Sequence, residues 1–288
     1  MQKMNATSKV LVIVVLASTL GSPTTSHSVP KSKQIQSVVP SALKPRSRHL
    51  VANGIRIHYL EWGRGHSTIL LLHGLYDSSD TWSAMVPLLA KNHRIIAPDR
   101  RGAGLSAKPV AGYDYQTLAR DVESLIVALK LRRVYLVGHS AGAGVAMTLA
   151  ATAPDKIDRL VLVDGGFWPK REEVFVATNV RPLLPPPACG EDAAECRRRE
   201  AIEREGKEYD PNRLYARVSV PVLLVLGVPP EEEAKEFAAE LSEARQHVKS
   251  VAKQKLRKGQ MAVIEGTSHW IHRDRPKELA MVIEQFLN

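Results

Sequence analysis

The stretch from Tyr135 to Gly144 combines a serine with the local structure that a nucleophile needs. It reads YLVGHSAGAG, so a short apolar run meets Gly-His-Ser-Ala-Gly and a small-residue helical pattern follows. A G-x-S-x-G sequence between a buried strand and a helix places its serine on a tight turn, clear of its neighbours. The pattern therefore predicts that Ser140 is a nucleophile. The alternative is a serine that only packs in a strand-to-helix turn.

The residues on either side of Ser140 suit such a turn. Gly138 and Gly142 have no Cβ that could collide with the adjoining helix and strand. The helix expected to begin at Ala141 directs its free N–H groups, and the positive end of its dipole, toward the serine oxygen. Negative charge that develops beside Ser140 would therefore be stabilised.

His269 is the histidine best placed to act as the base that a serine nucleophile requires. It lies in the sequence IEGTSHW, after the last predicted strand and before the last predicted helix. We expect this loop to fold back over the serine turn. His272, three residues further on, is expected to face the surface. His139 lies beside Ser140 in the sequence, but its side chain is expected to point off the turn in the opposite direction.

Two backbone N–H groups are expected to bind the oxyanion that forms when a serine attacks a carbonyl. One belongs to Ala141, and the other to Leu75 in the sequence HGLYDSSDTW. Gly74 lets the backbone approach closely, because it has no side chain. His73 is predicted to brace this loop rather than to take part in the chemistry.

The elements that position these residues alternate between strands and helices. This alternation predicts an α/β fold with a mostly parallel sheet and helices on both faces. Predicted strands end at Val137, shortly before Ser140, at Val163, directly before Asp164, and at Ile264, before the loop of His269. The other predicted elements include helices over Thr81–Asn92, Tyr115–Leu131 and Pro276–Phe286.

The first 28 residues have the pattern of a secretory signal peptide. Lys3 and Lys9 precede an apolar run from Val10 to Ala17, and Gly, Ser, Pro and Thr follow. The run is too short to span a bilayer comfortably, so no stable membrane span is expected in the mature chain. We therefore predict a secreted, periplasmic or cell-envelope protein. The alternative is an uncleaved N-terminal anchor.

The rest of the chain divides into a spacer, a core and an insertion. Residues 29–48 are rich in Ser, Pro, Lys and Gln and are predicted to be a disordered spacer. Residues 49–166 and 216–288 form the predicted core. Residues 167–215 break the alternation of strands and helices, and we interpret them as a small helical cap.

The chain's two cysteines both lie in the predicted cap. Cys189 and Cys196 are seven positions apart, and in an exported protein they could close a small loop as a disulfide. The alternative is two free thiols. Two cysteines without nearby histidines do not make a metal site, so no metal is expected.

The formal net charge of +10 is concentrated near the N-terminus. Eight basic residues precede the first acidic one, Glu61: Lys3, Lys9, Lys31, Lys33, Lys44, Arg46, Arg48 and Arg56. The predicted core is therefore only mildly basic. No basic stripe is interleaved with aromatic residues, so a nucleic-acid partner is not expected.

Four motifs in the same order and at the same spacing resemble those of the α/β-hydrolase family. They are HGLYDSSDTW, APDRRGAGLSAKP, VGHSAGAG and GTSHW, and the resemblance covers about residues 50–166 and 218–288. DRRGAGLS resembles the branch that contains cofactor-free perhydrolases and esterases. The resemblance implies a Ser–His–acid triad, an acyl-enzyme intermediate and no cofactor. It argues against epoxide hydrolases and haloalkane dehalogenases, which carry aspartate in place of Ser140.

The acid of the implied triad departs from the family pattern. Relatives usually place it three residues after the glycine that ends the penultimate strand, and Pro230 occupies that position here. Some members take the acid from the end of the preceding strand, which in this chain is Asp164. Glu231 is the alternative acid, although it begins an acidic cluster typical of a helix N-terminus.

The sequence therefore predicts an exported serine hydrolase that cleaves an ester or a similar small acyl substrate. Ser140 would attack, His269 would transfer the proton, and Asp164 would orient the imidazole. Amide, lactone or C–C cleavage and perhydrolysis would use the same residues. The alternative from another class is a non-catalytic small-molecule-binding protein of the same fold.

Overall fold

A computed structural model describes residues 12–15, 44–167, 192–206, 209–230, 232, 235 and 238–288. In these ranges nine strands form one sheet, in the spatial order β1-β9-β8-β7-β6-β4-β5-β3-β2. β3 pairs antiparallel with both β2 and β5, whereas the other neighbours pair in parallel. The strands are β1 (Val12–Val15), β2 (Arg46–Ala52), β3 (Ile55–Trp62), β4 (Ser67–Leu72), β5 (His93–Pro98), β6 (Val134–His139), β7 (Ile157–Val163), β8 (Val222–Val228) and β9 (Gly259–Glu265). The predicted mostly parallel sheet is confirmed.

The helices lie on both faces of this sheet. Within the described ranges they are α1 (Val86–Leu89), α2 (Tyr115–Ala128), α3 (Ala141–Thr152), α4 (Ala193–Gly206), α5 (Ala238–Ser250), α6 (Ile271–Asp274) and α7 (Pro276–Leu287). A single helix over Thr81–Asn92 was the wrong expectation. A 3-10 turn at Ser79–Trp82 and the one-turn α1 are found instead. Pro87 explains the break, because it has no N–H to continue a helix that began earlier.

Alternating residues of the central strands divide the core into two layers. Leu70 and Leu72 pack with apolar residues of α2 and α3 on one face. Ile69 and Leu71 pack with α1 and α7 on the other face. All four side chains are fully buried, and burial of each stabilises the fold by about 1.5–3 kcal/mol. The sheet is therefore held rigidly between two apolar layers.

α3 is the central helix behind the serine turn. Every residue from Gly142 to Ala151 is buried, so this helix is surrounded by other elements rather than lying on the surface. Thr148 donates its hydroxyl hydrogen to the Gly144 carbonyl at 2.9 Å and satisfies its own polar group. A fully buried helix gives the residue at its N-terminus a fixed position.

The N-terminal boundary of the core differs from the predicted one. β2 begins at Arg46, three residues before the predicted start of the core at residue 49. Arg46 and Arg48 each pair with Glu61 of β3, at 3.3 and 3.0 Å. These charge pairs across the two strands explain why basic residues assigned to a disordered spacer join the sheet.

β1 lies inside the segment predicted to be a signal peptide. Val12 to Val15 pair in parallel with Met261 to Ile264 of β9, at one edge of the sheet. The signal peptide and the export that it implies stay predictions. No helix among the described residues is long and apolar enough to cross a membrane.

The predicted cap lies partly outside the described residues. α4 belongs to it, and the Glu205 carboxylate at the end of α4 accepts hydrogen bonds from the N–H groups of Gly112 and Tyr113, at 3.0 and 2.6 Å. α4 therefore docks on the loop before α2. Cys196 in α4 is disulfide-bonded, but Cys189 lies outside the described residues, so the pairing of these two cysteines stays a prediction.

Candidate active site

Ser140 lies between β6 and α3 in a backbone conformation that L-residues rarely adopt. Its φ is 53° and its ψ is −122°. A Cβ on Gly138 would lie 2.5 Å from the Gly142 carbonyl oxygen, and a Cβ on Gly142 would lie 2.4 Å from the carbonyl oxygens of Leu72 and His73. Real Cβ atoms do not approach so closely, so both positions require glycine. The predicted tight turn is present, and a serine stands at its tip.

Asp164 occupies the corresponding position at the end of the neighbouring strand. The Ser140 N–H donates to the Val163 carbonyl at 3.0 Å, and the Asp164 N–H donates to the Val225 carbonyl at 2.8 Å. These bonds continue the sheet's pairing one residue past β6 and β7. Asp164 is completely buried and has a positive φ of 47°. Sheet pairing therefore fixes Ser140 and Asp164 in register.

His269 completes the arrangement from the loop after β9. The Thr267 N–H donates to the Val228 carbonyl at 2.9 Å and anchors this loop to β8. Nδ1 of His269 lies 2.7 Å from Oδ2 of Asp164. The other carboxylate oxygen accepts a hydrogen bond from the Gly227 N–H at 3.3 Å.

This contact assigns the proton on the His269 ring. A carboxylate only accepts hydrogen bonds, so Nδ1 of His269 must carry the hydrogen that reaches Asp164. In the neutral ring Nε2 then has a free lone pair and can accept a proton from a hydroxyl group. Asp164, the first of the two acids considered from the sequence, is in contact with His269. Glu231 lies outside the described residues.

His139 supports His269 from the strand side. Nε2 of His139 donates to the His269 backbone carbonyl at 2.8 Å, and the two ring centroids are 4.6 Å apart. Burial, followed by the charges of His269 and His272, holds the pKa of His139 well below its ordinary value. His139 is therefore neutral, with its hydrogen on Nε2. Its Nδ1 has no hydrogen-bond partner among the described residues.

His272 is fully buried, so the expectation of a surface position was wrong. Its ring centroid lies 4.6 Å from those of His139 and Trp82, and its Nε2 lies 2.8 Å from the Thr81 hydroxyl. Burial, followed by the charge of Arg273, lowers the pKa of His272 to about 3. α6 turns inward, and its histidine extends the row of rings that ends at the candidate site. Because Thr81 is 191 residues away, no local pattern could have indicated this contact.

The loop after β4 lies directly against Ser140. A Cβ on Gly74 would lie 3.3 Å from the Ser140 Cβ. Nδ1 of the buried His73 donates to the Gly74 carbonyl at 2.8 Å, which matches the predicted bracing role. Leu75 follows in this loop, and Ala141 is the first residue of α3, where N–H groups have no partner within the helix. Both predicted oxyanion donors therefore belong to segments beside the nucleophile.

Asp99 organises the turn after β5. Its carboxylate accepts hydrogen bonds from the N–H groups of Ser79 and Leu105 at 2.7 and 2.8 Å and from Nδ1 of His58 at 2.7 Å. Burial would raise the pKa of Asp99, but the backbone hydrogen bonds outweigh it and leave the pKa below the ordinary value. Asp99 thus has a structural role in this turn.

The described residues contain no cluster of three or more His, Cys, Asp or Glu side chains that could hold a metal ion. The groups that the described site brings together are a serine hydroxyl, an imidazole and a buried carboxylate.

Comparison with known proteins identifies relatives with the same architecture. The profile of the alpha/beta hydrolase fold family matches residues 67–187. The esterase YbfF of Escherichia coli is 26% identical over 274 residues, which cover 81% of this chain and 98% of the esterase. A soluble epoxide hydrolase of Corynebacterium sp. is 40% identical over 112 residues, 39% of each chain. The chain thus spans about two fifths of the length of the curated relatives that it matches at 40% identity.

Solved structures resemble the chain over most of its length. Wild-type Cfl2 from Burkholderia cenocepacia is 26% identical and superposes with a TM-score of 0.62, covering 87% of this chain and 98% of Cfl2. The overall path of the chain is therefore shared well beyond the region matched by the family profile.

Proposed function

Since this chain has the α/β-hydrolase fold, we propose that it is a serine hydrolase that cleaves an ester or a similar small acyl substrate. The observation that carries the proposal is the 2.7 Å contact between Nδ1 of His269 and the buried Asp164 carboxylate, at the strand ends beside Ser140. This contact leaves Nε2 of His269 free to act as a base. The fold supports a hydrolase, and these three residues support a serine mechanism.

In this proposal Ser140 attacks the acyl carbon, and Nε2 of His269 accepts the serine proton. Asp164 stabilises the imidazolium that forms, and the N–H groups of Leu75 and Ala141 donate to the oxyanion. The proton then passes from His269 to the leaving alcohol. A water molecule then attacks the acyl-enzyme while His269 accepts its proton. The acid product leaves, and His269 returns the proton to Ser140.

The relatives include proteins named as an esterase and as an epoxide hydrolase. Ser140 favours the esterase class, because a serine forms an acyl-enzyme whereas the resemblance implies an aspartate nucleophile for epoxide opening. The second candidate is a non-catalytic binding protein, motivated by the absence of an acid at its usual place. The contact of Asp164 with His269 supports an acid on the neighbouring strand instead and so favours the enzyme.

Export to the periplasm, the cell envelope or the medium remains part of the proposal. It is supported by the basic residues and the apolar run of the first 28 residues. A small acyl compound is the proposed partner, and neither a nucleic acid nor a cofactor is invoked.

The proposal is tested by measuring hydrolysis of p-nitrophenyl esters from acetate to laurate by the full chain, together with labelling by a fluorophosphonate. Ser140→Ala should abolish both turnover and labelling. Ser250→Ala provides the matched control, because Ser250 ends α5 and bonds only to the Gln254 side chain among the contacts described for its hydroxyl. Turnover that survives in Ser140→Ala would reject the serine mechanism, and labelling without any ester turnover would direct attention to amide or C–C substrates.

A further inference from the structure

Arg100 is a buried arginine without the partner that such a residue normally has. It is 9% exposed, and no carboxylate of the described residues lies within ion-pairing distance of it. Its Nε also has no hydrogen-bond partner there. The neighbouring Arg101 shows the usual arrangement, with two bonds of 2.8 Å to Asp121. Because a buried and unpaired charge is costly, the position of Arg100 calls for a specific reason.

The contacts of Arg100 converge on a single backbone carbonyl. Its Nη2 donates to the Gly74 carbonyl oxygen at 2.7 Å. The same oxygen accepts a hydrogen bond from Nδ1 of His73 at 2.8 Å, and Nε2 of His73 accepts one from the Arg100 N–H at 3.0 Å. Burial, followed by the charge of Arg100, lowers the pKa of His73 to about 3. His73 is therefore neutral, and both lone pairs of the Gly74 oxygen are occupied.

These bonds fix the orientation of the peptide between Gly74 and Leu75. The peptide is planar and trans, so the Gly74 carbonyl and the Leu75 N–H point in opposite directions. With the carbonyl held by Arg100 and His73, the Leu75 N–H must point away from both. The same peptide lies against the nucleophile, because a Cβ on Gly74 would be 3.3 Å from the Ser140 Cβ.

We propose that Arg100 is a positioning residue of the oxyanion hole, which holds the Leu75 N–H in the direction from which it binds the developing oxyanion. This inference rests on the proposed function, since it assigns the groups that prepare the same site for acyl transfer. It adds Arg100 to the proposed site, beside the three triad residues and the two oxyanion donors.

Arg100 also strengthens the donor that it positions. A hydrogen bond from a cation to a carbonyl oxygen polarises the amide, so the N–H of that amide becomes a better donor. The guanidinium charge is buried and is therefore weakly screened, and it favours negative charge that develops nearby. Both effects are larger for the oxyanion of the transition state than for the neutral ester carbonyl.

The kinetic effect of removing Arg100 distinguishes a positioning role from a purely structural one. If Arg100 only filled space, its removal would lower stability or distort substrate binding, and KM would change. If it prepares the oxyanion hole, its removal lowers kcat with little change in KM. Affinity for an alkyl boronic acid, which forms a tetrahedral adduct with the serine, should then fall together with kcat/KM.

The experiment compares Arg100→Met and Arg100→Lys with the wild-type full chain. Arg133→Gln is the matched control, because the Arg133 side chain is 52% exposed and lies before β6, at the opposite end of that strand from Ser140. Arg100→Met should lower kcat by about tenfold or more, less than the loss of a direct oxyanion donor, with KM within about twofold. Arg100→Lys keeps a cationic donor and should recover part of the loss. The boronic acid inhibition constant should rise in Arg100→Met by the factor by which kcat/KM falls.

A folded Arg100→Met with unchanged kcat would overturn the inference, as would a lower kcat with unchanged boronic acid affinity. If Arg100→Met does not fold, Arg100→Gln replaces it under the same criteria. If the wild-type chain is active and Arg100→Met gives either of these results, only the role of Arg100 is rejected and the proposed function stands. A wild-type chain without turnover or Ser140 labelling rejects the proposed function and this inference with it.

Discussion

Replacement of Asp164 by asparagine tests the candidate triad most directly. The asparagine side chain has the same shape, and its oxygen would keep the hydrogen bond from the Gly227 N–H, which Oδ1 accepts at 3.3 Å in the native chain. The amide NH2 would then face Nδ1 of His269, where Oδ2 now lies at 2.7 Å. Because NH2 only donates, Nδ1 would have to accept, and the ring hydrogen would move to Nε2. His269 could no longer take a proton from Ser140.

The expected magnitude follows from the same change in trypsin-like enzymes. An imidazole held in the wrong tautomer lowers kcat by about 10⁴ in the trypsin-like triad. We therefore expect kcat/KM of Asp164→Asn to fall by about 10³–10⁴, which corresponds to about 4–5.5 kcal/mol of transition-state stabilisation. Thermal unfolding should change little, since no volume is added to or removed from the buried site.

The assay measures hydrolysis of the best p-nitrophenyl ester by Asp164→Asn and by Glu231→Gln. Glu231→Gln removes the alternative acid and should retain wild-type activity. The reasoning would be refuted by a folded Asp164→Asn whose kcat/KM stays within tenfold of the wild type. A large loss in Glu231→Gln would instead identify that residue as the acid.

Two further predictions concern the buried histidines. His139→Phe keeps a ring against His269 but removes the donor to its carbonyl, so kcat should fall by about tenfold and the free energy of unfolding by about 1–3 kcal/mol. His139→Gln restores a donor and should recover part of the lost kcat and part of the lost stability. Equal kinetics and equal urea unfolding of the two variants would contradict this prediction. Burial lowers the pKa values of His73 and His272 to about 3 in the folded chain. Below pH 6.5 the unfolded chain therefore binds protons that the folded chain does not, and the free energy of unfolding decreases as the pH is lowered. Between about pH 6 and 4, urea unfolding should show a loss of about 3 kcal/mol per pH unit from these two groups, and about half that loss in His272→Gln. A flat profile from pH 7 to 5 would exclude this prediction.

The strand ends are the part of the site that could be predicted from the sequence. Ser140 lies in the G-x-S-x-G turn that follows one apolar run, and Asp164 follows another apolar run and precedes a glycine. Their positions in a parallel sheet are therefore indicated by local pattern. The sheet then brings the two residues together without further information. His269 was predictable for the same reason, because it follows the last strand.

The contacts around these residues could not be predicted, because they join distant parts of the chain. Arg100 reaches a carbonyl 26 residues away, and His272 reaches Thr81 across 191 residues. Neither contact has a local periodicity or a turn signature. The burial of His272 depends on how α6 packs, and short helices are positioned by tertiary contacts rather than by propensity. Sequence patterns therefore predicted the reacting groups better than the groups that hold them.

Ser140 and Asp164 share one further property, which bears on how the protein would respond to selection. Both have positive φ, at 53° and 47°, and each such residue costs the fold about 1–2 kcal/mol relative to a residue that adopts this conformation freely. Glycine is that residue. At Ser140, selection for heat resistance alone would thus favour glycine, and the exchange would remove the proposed nucleophile. At Asp164, glycine would also leave the buried Nδ1 of His269 without its partner. Thermal tolerance and the proposed activity are therefore opposed at Ser140, and a stabilised variant that remains active must gain its stability elsewhere in the chain.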